Sequence, residues 1–215
     1  GMNVLELFAG SRSIGKNAEK LGHNVFSVDW EKYDGVNLSI DIEYLTPEMI
    51  PFVPDYIHAS PDCTTYTIAA ISTHRNGVEP KSEYAKKCDR VNIHVLELIK
   101  YYQKINPKLK YTIENPRGMM RKMPFMLGIP RTTVWYCRYG DDRAKPTDIW
   151  SNGIRSVFNE TGWQPKSECH NGNKKCHHES APRGSKTGTQ GKIGSYEKSK
   201  LPDQLCIEII KSFEQ

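Results

Sequence analysis

No run in the 215-residue chain approaches the roughly 18 consecutive apolar residues that a membrane span needs, and no signal peptide opens it. The expectation is a protein of the cytoplasm with no membrane partner. Gly1 ahead of Met2 reads as a remnant of tag removal and is set aside. Cysteines are sparse: six, at 63, 88, 137, 169, 176 and 206, too few in a chain this long for a disulfide scaffold. Reduced thiols are expected instead. There is no GxGxxG turn of the kind that cradles a pyrophosphate, no CxxC pair, and no internal repeat. A net charge of +5 permits a polyanionic partner without requiring one.

What is present begins with "NVLELF" (3–8), a short apolar run ending at Ala9-Gly10. A helix is predicted over 13–21, where Ile14, Ala18 and Leu21 share a face and Gly22 suits the position past the last turn. "NVFSVDW" (24–30) reads as a second strand, and the unit opens a parallel α/β sheet. Thr46 and Pro47 open a helical turn. "DYIHAS" (55–60) and "KYTIEN" (110–115) are further strands. Between them Tyr84, Cys88, Val91, Val95, Leu98 and Tyr102 recur in steps of three and four, one face of a long helix over 82–102. "TTVWYC" (132–137) and "TDIWSN" (147–152) read as later strands, with antiparallel pairing open to them. A last helix spans 202–213.

Two constellations carry chemistry. In a doubly wound sheet a glycine turn after the first strand admits a ligand, and an acid ending the second strand accepts hydrogen bonds from ribose hydroxyls. Gly10 and Asp29, 19 residues on, stand at those places, and Trp30 offers an aromatic face for a base. An ordinary strand-to-helix turn would look the same. The second is Cys63, in "HASPDCTTYT" (58–67), just past the carboxyl end of a strand; Glu114 ends another. A lone cysteine is most often a buried small hydrophobe. At strand ends, where α/β sheets bind ligands, a thiol and a carboxyl are also a candidate nucleophile and acid.

"LELFAG", "SPDC", "IENP" and "YGDDRAKPTDIW", in that order, resemble the successive motifs of the cytosine-C5 DNA methyltransferases, in the short form found in phages and prophages. The likeness covers about residues 3–152 and, more loosely, 190–213. It implies a Rossmann-like, S-adenosylmethionine-dependent methyltransferase fold: α/β, with a mostly parallel sheet and helices on both faces. It implies S-adenosylmethionine as cofactor and DNA as partner. Phe8, Ala9, Gly10 and Pro61 would border the cofactor, Asp29 hold its ribose, Trp30 stack on its adenine, and Asp41 meet the adenine amino group. Cys63 matches the nucleophile, Glu114 the glutamate that contacts the base, and Arg143 the first arginine of an RxR element whose second is Lys145 here. The implied reaction is methyl transfer to C5 of cytosine through a covalent bond from Cys63 to C6, on a base swung out of the duplex.

Departures from that pattern matter. Asp62 stands where most family members have proline, and an anion beside the thiol opposes its ionisation; Arg143 is expected to offset it. Pro116 follows Glu114-Asn115, and the glycine turn is short. The segment from Gly153 to Gln190 is too short for the family's target-recognition region, so sequence selectivity is expected to be low or supplied by a partner. Thr64 and Thr65 offer hydroxyls to DNA. Arg117, Arg121, Lys122, Lys145 and Lys186 offer cations to phosphates, though a solvated basic face would look alike.

The expected organisation is a catalytic core over 2–153, an irregular Cys/His/Lys-rich insert over 154–196, and a C-terminal helix, 197–215, packing back on the core. "CHNGNKKCHH" in the insert raises a zinc site at Cys169, Cys176 and His177. The C-x6-C spacing is wide, however, and a polar DNA-facing loop without metal ranks ahead of it. His23, His58, His74 and His94 show no recognisable partner and read as ordinary histidines. Readings outside C5 chemistry stay open: transfer to the exocyclic amine of cytosine, an RNA substrate, and a remnant that binds cofactor or DNA without catalysis.

Overall fold

The apolar runs become strands because two helical layers cover them. A computed structural model describes residues 1–176, 196 and 199–214. In it β1 (Asn3–Leu7), β2 (Asn24–Asp29), β3 (Leu38–Ser39) and β4 (Tyr56–Ala59) run parallel. A separate two-residue hairpin, β5 (Arg75–Asn76) and β6 (Glu79–Pro80), follows. β7 (Lys110–Pro116) joins β4 in parallel; β8 (Arg131–Trp135) and β9 (Pro146–Ser151) finish the sheet antiparallel to each other, with β9 against β7. The order is β3-β2-β1-β4-β7-β9-β8, so it reverses direction between β1 and β4. The crevice beyond the carboxyl ends of those two strands is where such sheets bind ligands.

Residues alternate between faces along a strand. Leu5, Leu7, Ile57 and Ala59 pack toward helix α3, while Val4 and Tyr56 pack toward the other side. That other side is covered by α1 (Ser13–Lys20) and by the C-terminal helix, and the short α2 (Ile71–His74) lies outside both layers. α3 (Glu83–Ile105) starts where the Ser82 hydroxyl accepts the Ala85 N–H at 3.0 Å. It ends before Pro107, whose ring holds Asn106 in extended geometry. Its predicted stripe is buried except for Tyr84, which stays exposed and turns its hydroxyl to Asp62. The C-terminal helix, α4 (Asp203–Phe213), lies against α1: Asn17 Nδ2 donates to Asp203 at 3.0 Å, and Ser13 Oγ accepts the Leu201 N–H at 3.0 Å. None of the described helices is long and apolar enough to cross a membrane.

The stretch between β4 and α3 is pinned by a buried cation. Arg75 is fully buried and donates to both oxygens of Asp89 at 2.7 and 2.9 Å, and to the Thr65 carbonyl at 2.9 Å. Removing one member of such a pair strands the other charge in low dielectric. Asp89→Ala is therefore expected to cost about 3–5 kcal/mol of stability. Urea unfolding measures it; a loss below about 1 kcal/mol would show that the guanidinium finds other partners.

Candidate active site

The turn after β1 departs from ordinary helix entry. Phe8 and Arg12 hold positive φ, 55° and 60°, without being glycine, as does Lys145 at 33°. Strain of this kind persists only where surrounding contacts over-determine it, and it gathers at functional sites. Here Asp29 supplies one constraint, accepting the Gly10 N–H at 2.9 Å and the Glu31 N–H at 2.9 Å. Gly10 has φ +50°, and a Cβ there would meet Ser199 Oγ at 2.9 Å, so the C-terminal segment closes onto the turn. Below it, buried Glu6 accepts the Gly15 N–H and the Ser27 hydroxyl at 2.8 Å each, and Arg12 bonds Ser27 and Glu19. Trp30 leaves most of its indole open to solvent, 72% exposed. Asp41 is engaged differently from expectation. It accepts the Glu43 N–H at 2.9 Å and pairs with Lys87, so an adenine amino group would compete with an ion pair for it.

Two strand ends bring Cys63 and Glu114 together. β4 and β7 pair with Ala59 beside Ile113, and Asn115 Nδ2 donates to the Pro61 carbonyl at 3.0 Å, which ties the chain before Cys63 to the chain after Glu114. The Cys63 carbonyl accepts N–H bonds from Tyr66 and Thr67, forming a tight turn with the thiol half-buried. Gly118 allows the chain after β7 to lie against that turn, since a Cβ would meet the Tyr66 carbonyl at 2.7 Å.

The cations arrive from the segment before β9. Arg143 is buried and gripped by Asp141, whose oxygens accept from its guanidinium at 2.7 and 3.0 Å; a third bond goes to the Lys200 carbonyl at 2.7 Å. Arg143 Cζ and Lys145 Nζ lie 5.2 and 5.4 Å from the centroid of the Tyr136 ring. Burial pushes the Cys63 thiol up, Asp62 and Glu114 push it the same way, and Lys145 pulls it down. Burial likewise raises the Glu114 carboxyl, against the pull of Lys145, Ser60, Arg143 and Tyr136. Burial lowers Lys145, opposed by Glu114 and Cys63. Lys145, expected among the DNA-contacting cations, thus acts on the thiol and the carboxyl. Arg143, held by Asp141, likewise pulls the Glu114 carboxyl down.

A polar stripe behind Glu114 was missed. His58 is buried, with Nδ1 bonded to Thr112 Oγ1 at 2.7 Å and Nε2 to Ser60 Oγ at 2.8 Å; Tyr56 OH meets the same threonine at 2.6 Å. Burial drives the His58 pKa down to about 3, so the ring is neutral and passes a hydrogen bond without carrying charge. The signal was available: Tyr56, His58 and Ser60 recur with period two, as do Thr112 and Glu114 on the paired strand. The other three histidines also have partners: His23 the Met2 N–H and Glu214, His74 the Ser82 hydroxyl, and His94 the Leu45 carbonyl.

The residues expected to meet DNA divide. Thr65 is fully buried, its hydroxyl accepting from Arg75 at 3.1 Å, and cannot face a phosphate. Thr64 gives its hydroxyl to Asp62 at 2.7 Å. Arg121 is committed to Asp148, which it binds with two nitrogens at 2.6 and 2.9 Å; a fully buried carboxylate holds it there. Arg117 and Lys122 are exposed, Arg117 lying over the Trp135 ring. Lys186 and His177 lie outside the described residues, whereas Cys169 and Cys176 meet a third cysteine, Cys137.

No protein-family model matches the chain, and no curated protein matches it in sequence. Its structure is similar to those of methyltransferases. The methyltransferase EhMeth of Entamoeba histolytica superimposes with a TM-score of 0.53 at 10% identity, over 99% of this chain and 97% of that one. Dnmt2 methyltransferase of S. pombe gives 0.51 at 13%, over 70% of this chain and 50% of that one. A putative DNA modification methyltransferase encoded within an E. coli prophage gives 0.50 at 16%, over 70% and 46%. The chain spans about half the length of the last two. Its fold is the Rossmann-like fold of S-adenosylmethionine-dependent methyltransferases, a mostly parallel central sheet flanked by helices.

Proposed function

We propose that the chain transfers a methyl group from S-adenosylmethionine to C5 of cytosine in DNA, with Cys63 as nucleophile. One observation carries the reading: β4 and β7 lie side by side, so Cys63 and Glu114 stand at adjacent strand ends, tied by the Asn115–Pro61 bond, with Lys145 near enough to pull both groups down. The chain's residues fit the cofactor. The exposed face of Trp30 suits an adenine, and the Asp29 oxygens, each with one backbone N–H, retain lone pairs for ribose hydroxyls. Bound there, S-adenosylmethionine supplies an electrophilic methyl group.

The protein's task is to make C5 a nucleophile. The Cys63 thiolate adds to C6 of the extruded base, which breaks the ring's conjugation and turns C5 into an enamine-like carbon. Charge then develops toward N3. Glu114, whose carboxyl burial pushes up, shares a proton with that nitrogen, while its bond with Ser60, itself held by His58, keeps the carboxyl in place. After methylation the C5 proton passes to water and its electron pair re-forms the C5–C6 double bond as the C6–S bond breaks and the Cys63 thiolate leaves. Lys145 favours the thiolate at both ends of the cycle.

Asp62 opposes that thiolate, although Thr64 and Tyr84 occupy its oxygens. Asp62→Asn is expected to move the rise of rate with pH toward lower pH and to raise the rate at neutral pH a few-fold, the scale of ~0.6 kcal/mol between charges near solvent. A pH–rate profile of single-turnover methylation checks it; an unmoved profile would mean that the aspartate is fully screened. The reading itself is tested on duplex and single-stranded oligonucleotides carrying 5-fluorocytosine, whose fluorine blocks the final elimination. The expected product is a denaturation-resistant adduct that forms only with S-adenosylmethionine. No adduct on any substrate, with cofactor binding intact, would overturn it.

A further inference from the structure

Three cysteines that the proposed reaction leaves unused converge behind the site. Cys137 sits in the 3-10 turn Tyr136–Tyr139 that follows β8; Cys169 and Cys176 come from the irregular stretch after β9. Their sulfurs all lie within 4.8 Å of one another. A tetrahedral zinc with Zn–S bonds of about 2.3 Å separates its thiolates by about 3.8 Å, so closure asks for shifts on the order of an ångström. Apolar walls surround the group: Trp135 and Ala144 pack with the sulfurs, and the Trp135 indole N–H is buried without a hydrogen-bond partner among the described residues.

The surroundings ask for a fastener. Between Ile154 and Cys176 the described backbone forms no helix or strand, only isolated bridges and turn bonds; Trp163 anchors the first half in the core through Glu208, and the cysteine turn lies beyond that anchor. The cysteine turn is shaped locally: Gly172 takes φ +83°, Asn173 accepts the Lys175 N–H at 3.0 Å, and Asn173 Nδ2 donates to Cys169 Sγ at 3.3 Å. An N–H donor on sulfur is what a metal-bound thiolate uses to spread its charge.

We propose that Cys137, Cys169 and Cys176 bind one zinc ion, which fastens the stretch after β9 to the back of the segment carrying Arg143 and Lys145. Ala144 lies between those two cations and touches the cluster, and its carbonyl accepts the Tyr136 N–H at 2.8 Å, so the ion braces them from behind. Three thiols lose their protons to solvent on binding, and the fourth position takes a nitrogen or oxygen ligand. Soft sulfur donors in tetrahedral array select zinc over magnesium or calcium. The site stands independently of the proposed reaction, since its readout is metal content.

The test uses the full chain, expressed in zinc-supplemented medium and desalted, with metal measured by elemental mass spectrometry. Close to one zinc per chain is expected. Cys137→Ser should retain at most about a tenth of that, while Cys88→Ser, a buried thiol outside the cluster, should retain all of it. Should Cys137→Ser fail to fold, cobalt titration of the stripped wild-type chain decides. Intense thiolate-to-cobalt absorption and tetrahedral visible bands, displaced by zinc, support the site. Zinc below about a tenth per chain that excess zinc does not restore, iron in its place, a disulfide within the trio, or zinc retained by folded Cys137→Ser each overturns it.

Discussion

Cys63→Ser is expected to abolish methyl transfer, with a loss on the order of 10⁴-fold or more, because a hydroxyl at neutral pH offers almost no anion to add to C6. Structure and cofactor binding should survive, since serine is close to isosteric with cysteine and the turn is held by backbone bonds from Tyr66 and Thr67 to the Cys63 carbonyl. The measurement is transfer of a labelled methyl group to cytosine-containing oligonucleotides, alongside cofactor affinity by calorimetry. Retained transfer would sink the C5 mechanism and favour attack by an exocyclic amine, which needs no thiol. Lost transfer with intact cofactor binding, together with lost trapping on 5-fluorocytosine, is the signature of a nucleophile.

Glu114→Gln should lower the rate by about 10²–10⁴-fold, the usual worth of a positioned proton donor. A second readout separates this from damage to the fold. Glu114 and Asp62 both disfavour the Cys63 thiolate, and Lys145 favours it. Removing the carboxyl charge should therefore quicken alkylation of Cys63 by iodoacetamide even as methylation falls, and Lys145→Met should slow both. A variant that merely disordered the site would change alkylation in the same direction for both substitutions. If alkylation does not respond to either, the three groups do not share a site.

The parallel sheet was legible because β1 and β4 are buried on both faces and short, and because the steps of three and four in α3 admit one reading. Gly22 at φ +87° ends α1 as its sequence position predicts. The hairpin Arg75–Pro80 was not legible, for its two-residue strands carry no periodicity and Arg75 is held by a distant aspartate. Tyr84 followed the apolar rhythm of its helix yet faces Asp62, since an amphipathic ring satisfies the pattern at either place. At the site, Cys63 and Glu114 could be placed at strand ends by counting residues. Which cation would face them could not. Arg143 and Lys145 are two apart in a segment where Lys145 takes positive φ; both pull the Glu114 carboxyl down, and Asp141 grips the guanidinium.

Sequence alone determined the principal strands and helices in chain order, the placing of a thiol and a carboxyl at strand ends, and the glycine turn with its acid. These follow from periodicity and from counts along the chain, which are local properties. Tertiary structure alone decided the charges. It withdrew Thr65 into a buried bond, tied Arg121 to Asp148, gave Asp41 a lysine, set Lys145 against Cys63, and gathered Cys137 with Cys169 and Cys176. The physical reason is that burial and pairing energies depend on which distant segments meet, and no local pattern records that meeting.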